Sequence, residues 1–271
     1  MILGIDIGGT KTLLAAFNIE GELKNTYKFP TPNNYEDFLS QLKSNITQLG
    51  VHDFDACSVG VPGVLDRLNG SIIGLGNLPW KGEKIESDIE KIVKCPTKIE
   101  NDAKLAGLYE ANVLDGDFLR ILYLTFSTGI GFSLIVEGKI DTSVSDEGGH
   151  GVFLEHNGKV TMWEKFASGK AIVAKYGKKA SEIESRQIWK EIVHNMTIGI
   201  INLNTILSPD IILIGGGVGA NFHKFGDLLV EDVHRYETPL TKIPPIRGAK
   251  HAEEAVIYGC YYLAKDFIQN R

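Results

Sequence analysis

The chain has 271 residues, a formal net charge of −6 and 43% hydrophobic residues. This composition is typical of a folded protein that buries a core without disulfides or structural metals. The mild acidity offers no basic patch for nucleic acid or anionic membranes, so neither partner is expected. No apolar run approaches the roughly 18 residues of a membrane span, and no basic segment precedes an apolar one, so we also expect no signal peptide.

Cysteine and glycine usage add two further clues. Cys57, Cys95 and Cys260 are far apart and form no CxxC pair. They are typical of reduced, mostly buried thiols, which predicts a cytoplasmic protein. Glycine accounts for 30 residues, roughly 11% against a usual ~7%. The positions of these glycines therefore become the main question.

The first half begins with a strand, a tight turn and a second strand. Apolar runs at Ile2–Ile7 and Thr12–Phe17 predict these strands, and a third follows to Phe29. Asn33-Asn34 predicts the start of a helix that ends at Gly50. Further predicted elements of this half are a strand at Asp55–Val61, a long loop at Pro62–Gly82, a helix at Lys84–Lys94, a strand at Thr97–Glu100 and a helix from about Asn101.

The second half restarts the same pattern. Its predicted elements are strands at Phe118–Phe126 and Gly131–Val136, a helix at Ser181–Asn204, a strand at Asp210–Ile214, a helix to about His234, a loop at Pro239–Pro245 and a closing helix at Ala252–Ile268. An offset of 119 residues lays Leu3–Phe17 over Leu122–Val136, which indicates either two related halves or two unrelated hairpins. Strands that alternate with helices, with hairpins among them, predict an α/β fold with mixed sheets.

Three strands end in small, glycine-rich turns: Asp6–Thr10, Thr125–Gly129 and Ile214–Gly217. Such turns let backbone N–H groups approach an anion closely. None matches the P-loop pattern or the dinucleotide-binding fingerprint. Any one of them is explained by ordinary hairpin glycines, but three together favour a nucleotide held between two halves.

Several polar side chains flank these turns. On a strand, Asp6 faces the same way as Gly8, so its carboxylate suits a Mg²⁺ contact beside phosphate. Lys11 faces either phosphate or solvent. Asn101-Asp102, at a strand-to-helix junction, is either a helix cap or a site for a general base.

A later group of polar residues offers sugar-binding chemistry. Asp146-Glu147-Gly148-Gly149-His150 and Trp163-Glu164 supply carboxylates and an imidazole that could grip sugar hydroxyls. Their other interpretation is a polar loop and an exposed glutamate.

Taken in order, these segments resemble the ROK family of sugar kinases, within the actin/hexokinase/Hsp70-type ATPase superfamily. The resemblance covers essentially the whole chain. The matching segments are Leu3–Lys11, Gly60–Gly63 with Asp66, Asn77–Trp80, Glu100–Ala103, Ser127–Gly131, Glu147-x-Gly149-His150, Glu164 before Ala167-Ser168-Gly169, and Gly215–Gly217.

The resemblance implies a fold and a domain division. It implies two similar ribonuclease-H-like (actin-like ATPase) domains, each with a mixed sheet flanked by helices, and a cleft between them. The domains are expected at 1–115 and 116–252, with a closing helix at 253–271 that packs back on the first.

The resemblance also implies an activity, which is ATP-dependent phosphorylation of the 6-hydroxyl of a hexose, above all glucose. Asp102 is the implied catalytic base. The implied sugar-binding residues are Gly63, Asn77, Asn101, Asp102, Glu147, His150 and Glu164. The implied nucleotide-binding residues are Asp6, Gly8, Gly9, Thr10, Lys11, Thr128, Gly129, Gly215, Gly216 and Gly217. Mg²⁺ is expected at Asp6, and a homodimer is expected.

One departure from the family pattern concerns zinc. The family commonly carries a C-x-C-G-x-x-G-C segment between the motif histidine and the last glutamate, but Gly151–Trp163 contains no cysteine. Because such a site needs three thiolates beside one histidine, we predict no structural zinc. The family's metal prop for His150 is then missing.

Other functions stay open at this point. The sugar could be N-acetylmannosamine, N-acetylglucosamine, fructose or allose, and polyphosphate could replace ATP. A sugar-sensing transcriptional regulator is disfavoured, because such relatives carry a helix-turn-helix ahead of the first phosphate motif, which begins here at residue 3.

Overall fold

The computed structural model describes residues 1–51, 53–251 and 254–269. The elements up to residue 112 are β1 Ile2–Ile7, β2 Lys11–Phe17, β3 Leu23–Pro30, α1 Tyr35–Asn45, β4 Ala56–Val61, β5 Gly63–Asp66, β6 Ser71–Leu75, α2 Ile85–Val93, β7 Thr97–Asn101 and α3 Asp102–Asn112. The later elements are β8 Arg120–Phe126, β9 Ile130–Val136, β10 Lys139–Ile140, β11 Phe153–His156, β12 Lys159–Met162, α4 Glu164–Ala167, α5 Gly169–Tyr176, α6 Arg186–Leu207, β13 Ile211–Gly215, α7 Gly216–Gly219, α8 Phe222–His234, β14 Ile246–Gly248 and α9 Ala255–Gln269.

The chain divides into two compact units. Unit 1 comprises Met1–Tyr109 and Glu254–Arg271, and unit 2 comprises Glu110–Glu253. The domain bounds inferred from the sequence, 1–115 and 116–252, remain a proposal. Among the helices that the described residues form, none combines the length and the apolar character needed to cross a bilayer.

Unit 1 is built on a five-stranded mixed sheet in the order β3-β2-β1-β4-β7. The hairpin strands pair antiparallel, whereas β1, β4 and β7 run parallel. Every residue of β4 is buried, because helices cover both faces of a parallel strand, and this explains why its residues are small and, apart from Ser58, not polar. On one face α1 and α2 contribute Phe38, Ile85 and Ile89 to the core. On the other, Ile257 and Tyr261 of α9 pack against residues of β1, β2 and β4.

Unit 2 repeats this arrangement with a five-stranded sheet in the order β10-β9-β8-β13-β14. The strands correspond one to one with those of unit 1, two antiparallel neighbours on one side and parallel strands on the other. Helices α6 and α8 supply large core side chains, including Trp189 and Phe225, whose rings stack at 4.7 Å. The predicted fold class, two similar α/β halves with mixed sheets flanked by helices, is therefore confirmed.

The offset of 119 residues holds for strand bounds but not for strand pairing. It carries Lys11–Phe17 onto the observed Ile130–Val136. In the first hairpin the last pair is Ile7 with Thr12, whereas in the second it is Phe126 with Ile130. The second turn is thus one residue shorter, and the strand after it pairs one residue out of step with the first hairpin.

The prediction of a long loop at Pro62–Gly82 is wrong, because β5 and β6 form an antiparallel hairpin inside it. One of its glycines, Gly63, marks a close approach of the two strands. A Cβ on Gly63 would overlap the carbonyl oxygen of Gly74. Glycine inside a strand often has this meaning.

The prediction of one helix over Ser181–Asn204 is wrong at its start. Helix α6 begins only at Arg186, where the Ser185 hydroxyl caps it by accepting from the N–H of Ile188. The helix expected to run from the third glycine turn to His234 is likewise divided into α7 and α8. A serine favoured at helix starts was the available signal for the first boundary.

The hairpin β11–β12 and the short strand β14 were not predicted. The hairpin fills the segment Gly151–Trp163. Its turn residues Asn157 and Gly158 both have positive φ, 52° and 76°, and Asn-Gly is the strongest short hairpin signal in a sequence. That signal was present and could have found this element.

Other local predictions are confirmed. The Asn34 side chain caps α1 by accepting from the N–H of Asp37 at 3.0 Å. Gly50 ends the following turn with φ of 65°. Ala252, the start expected for the closing helix, lies outside the described residues, and the described part of that helix begins at Ala255. All three cysteines are buried and free.

Candidate active site

The first glycine turn joins β1 and β2 and is fixed by backbone and threonine hydrogen bonds. The N–H of Gly8 donates to the carbonyl of Lys11 at 2.9 Å. The Thr31 hydroxyl donates to the carbonyl of Gly8 at 2.8 Å. A Cβ on Gly8 would lie 2.8 Å from the Lys11 carbonyl oxygen, so only glycine fits. Thr10 and Lys11 are exposed. Thr31, which the sequence did not single out, is what ties this turn to β3.

Asn77, predicted to bind sugar, lies against this same turn. A Cβ on Gly9 would be 2.7 Å from the Cβ of Asn77. Leu78 and Trp80, which follow Asn77, are buried, and the Trp80 indole N–H donates to the carbonyl of Asn33 at 2.8 Å. These anchors hold Asn77, itself exposed, beside the turn predicted to bind phosphate.

Asp6 and Asp102 lie at the same edge of the unit 1 sheet, where each affects the charge of the other. Asp6 on β1 is level with Gly60 on β4, and Gly60 is level with Glu100 on β7, so Asp102 follows at the same edge of the sheet. Burial, and after it the charge of Asp102, raises the pKa of Asp6 to about 7, while Lys28 opposes the shift. Two carboxylates held together in this way favour a cation between or beside them.

Asn101 caps α3, as one interpretation of the sequence expected. Its side-chain oxygen accepts from the N–H of Lys104 at 3.2 Å. Its amide nitrogen donates to the carbonyl of Gly63 at 2.9 Å, which ties the β5–β6 hairpin to the end of β7. Asp102 is the first residue of α3, and its Oδ1 accepts from the N–H of Ala103 at 2.8 Å. A role for Asn101 in sugar binding stays a prediction.

An ion pair that the sequence did not reveal fixes this junction. Glu100 is buried, and its carboxylate accepts from Arg67 through both Nε, at 2.9 Å, and Nη2. The same carboxylate accepts from the N–H of Asn101 at 2.6 Å. Two-point pairing of guanidinium and carboxylate fixes orientation as well as distance. Arg67, which lies between β5 and β6, therefore holds the backbone immediately before Asp102.

The second glycine turn, in unit 2, connects β8 and β9. The N–H of Ser127 donates to the carbonyl of Gly129 at 2.9 Å, and the carbonyl of Ser127 accepts from the N–H of Gly169 at 2.6 Å. Thr128 is exposed at the tip. The start of α5 is thereby joined to the turn, which the sequence did not show.

Three residues predicted to bind sugar or phosphate meet beside this turn. Glu164 Oε1 lies 3.2 Å from Nδ1 of His150. Its Oε2 is 2.9 Å from the position a Cβ would take on Gly129. His150 is largely exposed, whereas Glu164 is only a quarter exposed. An imidazole held by a carboxylate and open to solvent presents its far edge as a hydrogen-bonding group.

The glycines beside Glu147 let this segment pack closely against β9. A Cβ on Gly148, where φ is 56°, would overlap the carbonyl oxygen of Ile130. Gly149 packs against the Ile130 side chain, and the exposed Glu147 lies against Gly151. The segment therefore rests directly on the first residue of β9, near the second glycine turn.

The three glycines of the third turn, Gly215–Gly217, have different surroundings. A Cβ on Gly215 would overlap the Tyr123 hydroxyl, and Gly216 has a φ of 77° with Thr125 against it. Gly217 is exposed and has open space around it. Packing thus requires the first two glycines, while the third leaves backbone accessible to a ligand.

The sequence predicts no structural zinc, and this stays a prediction. Within residues 1–51, 53–251 and 254–269, no group of three or more His, Cys, Asp or Glu side chains is arranged to hold a metal ion.

The strand order shared by the two sheets defines the class of fold. Two units with the same strand order, each with a turn of glycines at the end of its first strand, have the actin-like ATPase fold. The model of the ROK family matches residues 2–267. The chain therefore belongs to the ROK family.

Relatives with different sugars match the chain comparably. A glucokinase of Streptomyces coelicolor is 25% identical over 87% of this chain and 86% of its own. An N-acetylmannosamine kinase of Vibrio vulnificus is 30% identical over 80% of this chain and 83% of its own. The crystal structure of a ROK hexokinase from Thermus thermophilus superposes with a TM-score of 0.81 at 25% identity, covering 100% of this chain and 99% of that one. These relatives support the sugar-kinase class without distinguishing among sugars.

Proposed function

We propose that the chain transfers the γ-phosphoryl group of ATP to the 6-hydroxyl of an aldohexose, with glucose as the first substrate to test. The observation that carries the proposal is the carboxylate pair at one edge of the unit 1 sheet. Asp6 on β1 and Asp102 after β7 lie at the same edge of the sheet, beside a glycine turn suited to phosphate. Burial, and after it the charge of Asp102, raises the pKa of Asp6. The sugar-kinase relatives supply the reaction class.

In the proposed reaction Asp102 accepts the proton of the 6-hydroxyl. The sugar oxygen then forms a bond to the γ-phosphorus as the bond from that phosphorus to the β,γ-bridging oxygen breaks, and ADP leaves with that electron pair. General-base assistance is typically worth ~10²–10⁴ in rate, and positioning and charge neutralisation supply most of the remainder. Helix capping by Asn101 and the Glu100–Arg67 pair would keep Asp102 in place.

Sugar and phosphate contacts are proposed for the residues that the sequence singled out. Asn77 beside the first turn, and His150 held by Glu164 beside the second, are polar groups next to backbone that can bind phosphate. The proposed sugar set is Gly63, Asn77, Asn101, Asp102, Glu147, His150 and Glu164. The proposed nucleotide set is Asp6, Gly8, Gly9, Thr10, Lys11, Thr128, Gly129, Gly215, Gly216 and Gly217.

A magnesium ion fits the donors in unit 1. Asp6 is a half-buried carboxylate whose negative charge is disfavoured by burial and by Asp102, and Mg²⁺ prefers oxygen donors of this kind. Asp6 would hold it, directly or through water, and the bound ion would neutralise phosphate charge.

An N-acetylhexosamine is the second candidate substrate. It is supported by the 30% identity to an N-acetylmannosamine kinase, a relative that matches the chain about as well as the glucokinase does. Discrimination of sugars depends on loop geometry in 62–82 and 148–163, which includes both unpredicted hairpins.

A coupled assay of ADP release tests the proposal. Glucose, N-acetylglucosamine, N-acetylmannosamine, fructose and allose are each supplied with ATP and Mg²⁺, and in parallel with polyphosphate while sugar phosphate is measured. We expect ATP and one of the hexoses to give sugar-dependent turnover. Absence of turnover with every sugar and both donors would overturn the sugar-kinase proposal.

A further inference from the structure

A buried tryptophan occupies a notch in the middle of α6. Trp163 is fully buried, and a Cβ on Gly199 would overlap its indole ring. Glycine in a helix interior is the least favourable residue after proline. In a 22-residue helix, its presence at this point therefore has a packing reason, which is room for the ring.

Hydrogen bonds fix both ends of this contact. The Trp163 indole N–H donates to the carbonyl of Asn195 at 3.0 Å, one turn before Gly199. The Asn195 side chain donates to the carbonyl of Phe166 at 3.1 Å, and the Trp163 backbone N–H donates to the carbonyl of Val152 at 2.7 Å. We call Trp163, Asn195 and Gly199 the tryptophan socket.

The residue that follows the socket is Glu164. It opens α4, a helix of only four residues, which has too few internal hydrogen bonds to hold its own position. Its neighbours are fixed instead by Asn195, through Trp163 on one side and Phe166 on the other. The position of the Glu164 carboxylate, between His150 and Gly129, is thus set from α6.

We propose that the tryptophan socket positions Glu164, and through it His150, for sugar binding. Trp163, Asn195 and Gly199 are positioning residues, since the ring is fully buried and acts only through Glu164. The proposal rests on the proposed function for the identity of the ligand, while its geometric part stands on contacts within unit 2. A ring that only fills the core would support stability alone.

The test compares two glycine-to-alanine variants in buried helix positions. In Gly199→Ala the new methyl meets the Trp163 ring. In Gly226→Ala, a matched control on α8, it meets the Phe222 ring away from Glu164. We expect both variants to lose thermal stability, although alanine is the better helix former. We expect only Gly199→Ala to raise the KM for sugar, by about tenfold, with the KM for ATP within twofold, since misplacement by ~1 Å has costs of this order or larger.

A gentler variant covers the possibility that Gly199→Ala does not fold. Trp163→Phe keeps an aromatic ring but loses the N–H that donates to Asn195. We expect a smaller rise in sugar KM, about threefold, with little change in kcat, because positioning of a binding group affects KM first. A sugar KM within twofold of wild type in a folded Gly199→Ala, or in Trp163→Phe where only that variant folds, would overturn the proposal. An equal rise in Gly226→Ala would overturn it as well.

A structural readout separates this inference from the proposed function. If wild-type protein phosphorylates no sugar, the kinase proposal fails, and the socket is then judged from crystal structures of wild type and Trp163→Phe. The proposal expects the contact between Glu164 and His150, 3.2 Å in wild type, to lengthen beyond hydrogen-bonding distance in the variant. An unchanged contact would overturn it.

Discussion

The two units carry corresponding site segments but fix them by different means. In unit 1 the groups are charged: Asp6 and Asp102 repel one another, and the buried Glu100 pairs with Arg67. In unit 2 the Glu164 segment is fixed by an aromatic ring lying over Gly199. We therefore expect changes of charge and pH to affect the activity and stability of unit 1, and changes of side-chain volume to affect those of unit 2.

The largest expected effect concerns the proposed base in unit 1. Asp102→Asn removes the proton acceptor with almost no change in volume, so kcat should fall by ~10²–10⁴. Steady-state kinetics with the preferred sugar measures this, with sugar affinity by calorimetry as the control for an intact binding site. A folded variant that keeps more than a tenth of wild-type kcat would sink the assignment and weaken the contrast between the units.

The ion pair behind that base gives the next effect. Glu100→Gln removes the charged acceptor of Arg67 and of the Asn101 N–H, and breaking a buried pair should cost about 2–3 kcal/mol of unfolding free energy. Glu22→Gln is the matched control, since its pair with Lys24 is exposed and should contribute little. Urea denaturation compares the two. Equal urea midpoints for the two variants would mean that the buried Glu100–Arg67 pair stabilises unit 1 no more than an exposed pair does.

Equivalent glycine turns should differ in tolerance. In Gly9→Ala the methyl meets the Cβ of Asn77, an atom that moves only with its backbone, whereas in Gly129→Ala it meets the flexible end of Glu164. We expect a loss of kcat/KM of about tenfold or more for Gly9→Ala. For Gly129→Ala we expect a rise in sugar KM of roughly threefold. The reverse order of effects would break the comparison.

The last expected effect is a pH dependence of stability at Asp6. Its pKa, raised from 3.8 to about 7 by burial first and then by Asp102, means that the folded state retains a proton that the unfolded state has lost. Stability linked to Asp6 is therefore present at low pH and is lost as the pH rises toward and through 7. Asp6→Asn removes this loss.

The advantage of Asp6→Asn over wild type should therefore grow from pH 4 to pH 8. We expect about 1–2 kcal/mol at pH 8, less than the full shift implies because Asp6 is only half-buried. Urea denaturation at pH 4, 6 and 8 in the presence of EDTA measures it. An advantage that does not change with pH would show that the Asp6 carboxylate carries no such penalty.

Local signals in the sequence were sufficient for most elements. Asn34 and Gly50 bound the first helical region because capping chemistry acts within a few residues. The hairpin at 63–75 was missed because a segment rich in glycine is typical of a loop, although Gly63 is required by the close approach of the two strands. The Asn157-Gly158 turn carries a clear local signal for the hairpin β11–β12, because both residues tolerate positive φ.

The sequence by itself determined the α/β class and the glycine turns at strand ends, since periodicity and turn chemistry are local properties. It left open whether the two hairpins belong to related halves, which the matching strand orders of the two sheets decided. Only the tertiary structure decided which side chains meet. Arg67 and Glu100 are 33 residues apart, and Trp163 and Gly199 are separated by several elements of unit 2. No spacing in the chain encodes these pairs, because they arise from strand pairing and helix packing, which bring together residues that the sequence keeps apart.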